Sequence, residues 1–265
     1  MIDVTLFGSE VYPIRASRLP SLLRCPMGAV IEMIGDGTSG PAADTGSAVH
    51  LAASAYHTVA AGDFAAAMKS MREHLPEYPL ADLGAAEHQF RFYVADPRNT
   101  ARVILCEAKI RIALPPPEGD STASPVIITG QLDQVRESLG GVLTLYDLKT
   151  GGSMEGPAML ATHCAQLAAY QVGASVLLGR DVVGCGIIRT KDYLKLDRKR
   201  QPKPGPVFWE AAWTLADARA ILDEVRRVVG DIRSGKIRIS PSAENCRYCP
   251  AVGVANCIAR RKSLI

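Results

Sequence analysis

Asp133, Asp147 and Lys149 interrupt apolar stretches of the chain, in Gly130-Gln-Leu-Asp133 and in Tyr146-Asp-Leu-Lys-Thr-Gly151. Residues 126–136 and 142–149 are rich in Val, Ile, Leu, Thr and Tyr, and Ser138-Leu-Gly-Gly141 supplies turn chemistry between them, so the pair reads as a β-hairpin. The hairpin folds Asp133 back toward Asp147. Directly opposed residues of an antiparallel pair lie roughly 4.5–5.5 Å apart at Cα, close enough for two carboxylates to share one hard cation. Asp147 and Lys149 project from one face of their strand and Leu148 from the other. Two such acids repel unless a cation neutralises them, and Mg²⁺ or Mn²⁺ there would polarise a phosphate and activate water. Lys149 would orient that water or offset the added negative charge of a pentavalent phosphorus. For an isolated D-x-K string the ordinary alternative is a solvated ion pair.

Two helical stretches supply companions. Thr45-Gly-Ser-Ala-Val-His50 opens an Ala-rich segment, 48–61, with Asp44 or Thr45 as N-cap and His50 one turn inside. In the stretch from Met159 to Leu178, His163, Gln166 and Tyr170 fall at i, i+3 and i+7, one polar stripe on an apolar surface.

Taken in order, these pieces resemble the RecB-like branch of the PD-(D/E)XK nuclease superfamily: G-x-x-H, an acid, G-x-x-D, D-x-K-T-G and Q-x-x-x-Y. They correspond to Gly46 to His50 (one residue longer than the shortest form), Glu107, Gly130 with Asp133, Asp147 to Gly151, and Gln166 with Tyr170. Leu132 stands where the superfamily's name has Pro. The resemblance spans about residues 15–260 and implies that His50, Asp133 and Asp147 bind Mg²⁺ or Mn²⁺. It implies that Lys149 serves the attacking water and that Gln166 and Tyr170 support the site and the DNA. For the upstream acid, Glu107 in an alternating strand leading into the hairpin is preferred over Glu87 in Glu-His-Gln-Phe.

Three of the seven cysteines form Cys246-x2-Cys249-x7-Cys257, and Cys25-Pro lies near the other end. Four thiolates suit a tetrahedral zinc or a four-cysteine iron–sulfur cluster, and spacing does not choose between them. The AddB-type and CRISPR-associated relatives of RecB carry a [4Fe–4S] cluster on one cysteine before the nuclease core and three after it, the distribution seen here. Their commonest last gap is five residues, against seven in this chain. The leader from Ser17 to Cys25 resembles the family's helix ending on its first cluster cysteine. Cys106, Cys164 and Cys185 read as small hydrophobes.

Net charge is only +3, so distribution carries more than the total. From Arg189 to Lys203 seven Lys or Arg face two Asp, and three prolines end the stretch. It reads as a strand, 182–190, followed by a basic flap in which Lys191, Lys195, Arg198, Lys199 and Arg200 would meet DNA phosphates. No apolar run approaches the roughly 18 residues that cross a bilayer, and no secretory pattern opens the chain, so it reads as a soluble, cytoplasmic protein. The expected architecture is one α/β domain over 1–265. Strands near 88–94, 102–113, 126–136, 142–149 and 182–190 make a mixed sheet in a restriction-endonuclease-like core, helices cover both faces, and an amphipathic helix runs over 214–234. Segments near 15–30 and 240–262 would be joined by the cysteine cluster.

The resemblance implies a metal-dependent deoxyribonuclease, an exonuclease acting on DNA ends or single strands, with recombination or repair proteins as partners. The alternatives are a non-catalytic DNA-binding or assembly subunit with the same fold, and a zinc-stabilised binding protein.

Overall fold

The computed structural model describes residues 4–34, 40–96, 101–116, 124–151, 157–190, 207–211 and 213–240. The long apolar-rich strands β2 (Arg102–Leu114), β3 (Val126–Glu137) and β4 (Leu143–Lys149) form an antiparallel meander, its second turn closed by Ser138 N donating to Val142 O. β5 (Val182–Arg189) lies parallel to β4, and β6 (Val207–Ala211) pairs antiparallel with β5. The two-residue β1 (Ile14–Arg15) runs parallel to β3 at Ile128 and Thr129. The sheet is therefore mixed and six-stranded among the described residues.

Helices cover both faces. On one side α1 (Leu19–Arg24), α2 (Pro26–Ile34), α6 (Pro157–Leu178) and α7 (Leu215–Arg233) enclose a core that includes Leu19, Leu22, Leu167, Val225, Ile128 and Leu145. On the other, α3 (Pro41–His57), α4 (Phe64–His74) and α5 (Leu83–Ala95) pack Ala52, Met71 and Phe90 against Leu148 and Ile188. Local signals start several of these helices: Asp63 accepts from Ala65 N and Ala66 N, Asp82 from Ala85 N, and Thr214 and Asp217 form a capping box. No helix among the described residues is long and apolar enough to cross a membrane.

Two expectations need correction. Residues 88–94 belong to α5: Ala86, Phe90 and Tyr93 are buried at helical spacing, a period of three to four that the alternating-strand reading of a short apolar run missed. Helix α3 begins at Pro41 with Gly40 as N-cap, so His50 lies in its third turn rather than one turn inside. Asp44 and Thr45 sit inside that helix and use their side chains elsewhere, accepting from Leu80 N at 3.1 Å and Asp82 N at 2.9 Å. Arg189, counted among the charges of the basic stretch, ends β5 inside the expected strand and is buried at 1% exposure. The flap residues, Lys191, Lys195, Arg198, Lys199 and Arg200, lie outside the described residues.

Candidate active site

The site forms where β3 and β4 part. Their ladder ends at Gln134↔Tyr146, so continuing the register by one residue sets Asp133 opposite Asp147. Across the other edge of β3, the pairs Cys106↔Gln134 and Ala108↔Leu132 bracket Glu107 and Asp133. Glu107, Asp133 and Asp147 thus occupy one row over three strands. Beyond the fork, the Asp133 carboxylate does the work of a ladder carbonyl, its Oδ2 accepting from Leu148 N at 2.5 Å.

The pleat also reverses at this row. Ala108, Ile110 and Ile112 face the α6 side, but so does Leu105, three residues from Ala108; on β3 Ile128 and Leu132 share that side with Val135. The break coincides with Glu107, which takes the left-handed backbone conformation at φ 49°, sparsely populated for a residue with a Cβ. Its carboxylate consequently turns toward α3. His50 Nδ1 lies 3.6 Å from Glu107 Oε1 and 3.3 Å from Asp133 Oδ1, and one potential ligand atom of each of the three lies within 4.8 Å of the others. Gln131 Nε2 donates to Glu107 Oε2 at 2.6 Å and holds the acid from the solvent side.

Asp147 faces α6 instead. Gln166 Nε2 donates to its Oδ1 at 3.1 Å and to the Tyr170 hydroxyl at 3.3 Å, while Lys149 Nζ stands 2.7 Å from Oδ2. Gln166 Oε1 is within 3.4 Å of Lys149 Nζ and 3.3 Å of His163 Nδ1. Asp147 Oδ2 is buried and has an ion-pair neighbour but no donor in hydrogen-bonding direction.

Electrostatics mark the row as crowded with carboxylates. Burial pushes the Asp147 carboxyl up, Lys149 opposes this, and the neighbouring Asp133 charge adds to the rise. Burial alone would lower the His50 imidazole, but Asp133 and Glu107 overcome it and raise it to about 10. A cation must displace that proton before His50 can ligate, because imidazole binds metal in its neutral form. Burial, with Lys149 beside it, takes His163 down to about 4, so it is neutral near pH 7.

A closely set His/Glu/Asp trio beside a buried carboxylate suits a divalent ion bound by hard ligands, and the adjacent lysine can offset charge on a phosphate. The sequence profile of the PD-(D/E)XK nuclease superfamily matches residues 14–254. The chain belongs to that superfamily. Its mixed sheet between helical layers is consistent with that fold, and membership brings the expectation of a metal-dependent nuclease. The crystal structure of SSO0001 is similar at 15% identity, covering 90% of this chain and 94% of that one, with a TM-score of 0.41. No curated protein matches the sequence.

Two motif glycines of this nuclease-superfamily chain, Gly46 and Gly130, have a steric reason. A Cβ on Gly46 would lie 2.6 Å from Thr150 Oγ1, so this glycine lets the helix carrying His50 approach the end of the D-x-K-T strand. A Cβ on Gly130 would come 2.8 Å from Tyr170 Cε1 and 3.1 Å from Ala16 Cβ, which makes Gly130 the seat for the Tyr170 ring. The motifs therefore pack on one another.

Of the residues singled out by sequence, His50, Glu107, Asp133, Asp147, Lys149, Gln166 and Tyr170 converge at this end of the sheet. The closely set trio is His50, Glu107 and Asp133, and Asp147 lines the cavity that His50 and Asp133 also line. Glu87 lies on α5 and pairs with Arg91 and Arg72. Cys25 caps the C-terminal end of α1, whereas Cys246, Cys249 and Cys257 fall outside the described residues. Gln131 escaped the sequence reading although it sits two residues before Asp133. Strand alternation from Glu107 and its cross-strand neighbours was the signal available for it.

Proposed function

We propose that the chain is a divalent-metal-dependent deoxyribonuclease of the RecB-like branch, an exonuclease that hydrolyses DNA ends or single strands during repair, recombination, phage replication or CRISPR adaptation. The observation that carries this reading is the convergence of His50, Glu107 and Asp133 beside the contacts that join Asp147 to Lys149 and Gln166. His50, Asp133 and Asp147 would hold Mg²⁺ or Mn²⁺, with Glu107 beside them. Bound there, the ion supplies Lewis-acid polarisation of the phosphate and a lowered water pKa.

The protein's own groups do the rest. Asp147 and Gln166 hold the Lys149 ammonium at the edge of the site, where it offsets negative charge gathering on the phosphate in the transition state. Tyr170 and Asp147 fix Gln166, so the lysine is positioned before substrate arrives. Two cavities, of about 560 and 400 Å³, meet at His50 and Thr150 and give a strand access from either side.

Cys25, Cys246, Cys249 and Cys257 are proposed to hold a [4Fe–4S] cluster, or structural zinc in its place, joining the two ends of the domain. Supporting this, Met27 N donates to Arg238 O at 3.3 Å, so the chain leading to Cys246 passes next to Cys25-Pro26. Lys191, Lys195, Arg198, Lys199 and Arg200 are proposed to contact the DNA backbone.

The test is anaerobic purification followed by incubation with end-labelled linear and with circular DNA in Mg²⁺, Mn²⁺ or EDTA. The proposal expects brown protein that degrades linear DNA from its ends in either metal and is silent in EDTA. Tight DNA binding without metal-dependent cleavage would identify a non-catalytic DNA-binding or assembly subunit instead.

A further inference from the structure

The two cavities that meet at the acid row differ in charge. The smaller holds the Lys149 ammonium beside Asp133 and Asp147, and that ammonium can meet a phosphate. The larger, about 560 Å³, has no Lys or Arg in its lining among the described residues; Ser47, His74, Glu77 and Tyr78 line it together with His50 and Glu107. Two carboxylates with no ammonium or guanidinium among them repel a phosphate, whereas an aromatic ring and hydrogen-bonding side chains receive an uncharged, flat, polar group. The volume lies within the roughly 300–1,000 Å³ of small-ligand sites, enough for a nucleoside.

The wall bearing Tyr78 is braced. Tyr78 N donates to Leu75 O at 2.8 Å and Ala81 N to Tyr78 O at 3.0 Å. The next residues are tied to α3 through Leu80 N to Asp44 Oδ2 and Asp82 N to Thr45 Oγ1, the Asp44 side chain being buried at 3% exposure. These bonds explain why two polar residues occupy the interior of α3, and they brace the segment that brings Tyr78 to the recess it lines.

We propose that this cavity is a nucleobase subsite, in which Tyr78 stacks on an unpaired base of the nucleotide next to the scissile phosphate. A paired base would have to bring its partner strand through the same recess, so the subsite makes the enzyme selective for single-stranded or frayed DNA. This rests on the nuclease reading above, and the two are separable by experiment.

Fluorescence anisotropy in Ca²⁺ measures binding of a labelled single-stranded oligonucleotide and of the same strand with abasic terminal nucleotides. Wild type binds the intact strand on the order of tenfold more tightly, the scale of losing one base–aromatic stack. Tyr78→Ala erases that ratio and Tyr78→Phe keeps it. An unchanged ratio in Tyr78→Ala, or blunt duplex bound as tightly as single strand, overturns the subsite. Hydrolysis of bis(p-nitrophenyl) phosphate by wild type in Mn²⁺ reports the metal centre without any base. An inert wild type with a base-dependent anisotropy ratio refutes the nuclease reading and leaves the subsite standing.

Discussion

Replacing Gly130 by Ala tests whether the sequence motifs are held together by packing. The added methyl carbon would sit 2.8 Å from Tyr170 Cε1 and 3.1 Å from Ala16 Cβ, against an ordinary contact of about 3.5–4.0 Å. Relief requires the ring to move by roughly 0.7 Å or more, and the ring is not free, since its hydroxyl accepts from Gln166, which also holds Asp147. Overpacking of this kind costs about 1–3 kcal/mol. Urea unfolding of Gly130→Ala should show a lower midpoint at unchanged slope, and Mg²⁺-dependent hydrolysis should fall because Gln166 and Lys149 are displaced together. Tyr170→Leu removes the obstructing ring atom, so the double variant should be less destabilised than the sum of the single ones by about 1 kcal/mol or more. Additive effects, or a Gly130→Ala within about 0.5 kcal/mol of wild type, would refute the idea that Gly130 exists to seat Tyr170.

Other outcomes follow from the same geometry. Glu107→Gly relieves a left-handed backbone at φ 49° and should stabilise the metal-free protein by about 1 kcal/mol, while calorimetry shows weakened Mn²⁺ binding; a loss of stability would contradict the strain. His57 accepts from the Tyr93 hydroxyl at 2.6 Å, and burial together with the Arg136 charge lowers it to about 4 from 6.5. Between those values the unfolded chain binds the extra proton, so His57 contributes stability above pH 6.5 that is lost as pH falls toward 4. Discounted for partial exposure, that loss is on the order of 1–2 kcal/mol, and His57→Gln should flatten the acid limb of a pH–urea series. Lys149→Met should abolish hydrolysis while Mn²⁺ binding persists in titration calorimetry, because the ammonium offsets charge on the substrate rather than ligating the ion.

Much of the site was legible because its signals are short-range. A D-x-K on a strand, a G-x-x-D on the paired strand and Gln and Tyr four residues apart on a helix each place side chains by local periodicity alone. What periodicity misses is where a period breaks. The reversal of pleat at Glu107 and the fork between Asp133 and Gln134 put Asp133 on His50 and Glu107 and turned Asp147 toward Gln166, so the two acids line one cavity but differ in their nearest partners. Segment 88–94 failed for another reason: six or seven mixed residues fit a half-buried strand and a helix alike, and packing of Phe90 and Tyr93 beneath α3 decided it. β1 was invisible, as two residues carry no pattern. Asp44 and Thr45 look like caps in sequence because their chemistry is that of caps. Their hydrogen bonds to residues 80 and 82 are long-range and have no local signature.

The central claim is that the acids on adjacent strands, with His50 and Lys149, form the place where phosphodiesters are cut. Its most direct test is the rate at which folded Asp147→Ala protein, matched to wild type by urea unfolding, degrades end-labelled DNA in Mg²⁺. Loss of hydrolysis is the predicted result, and degradation at the wild-type rate would contradict the account.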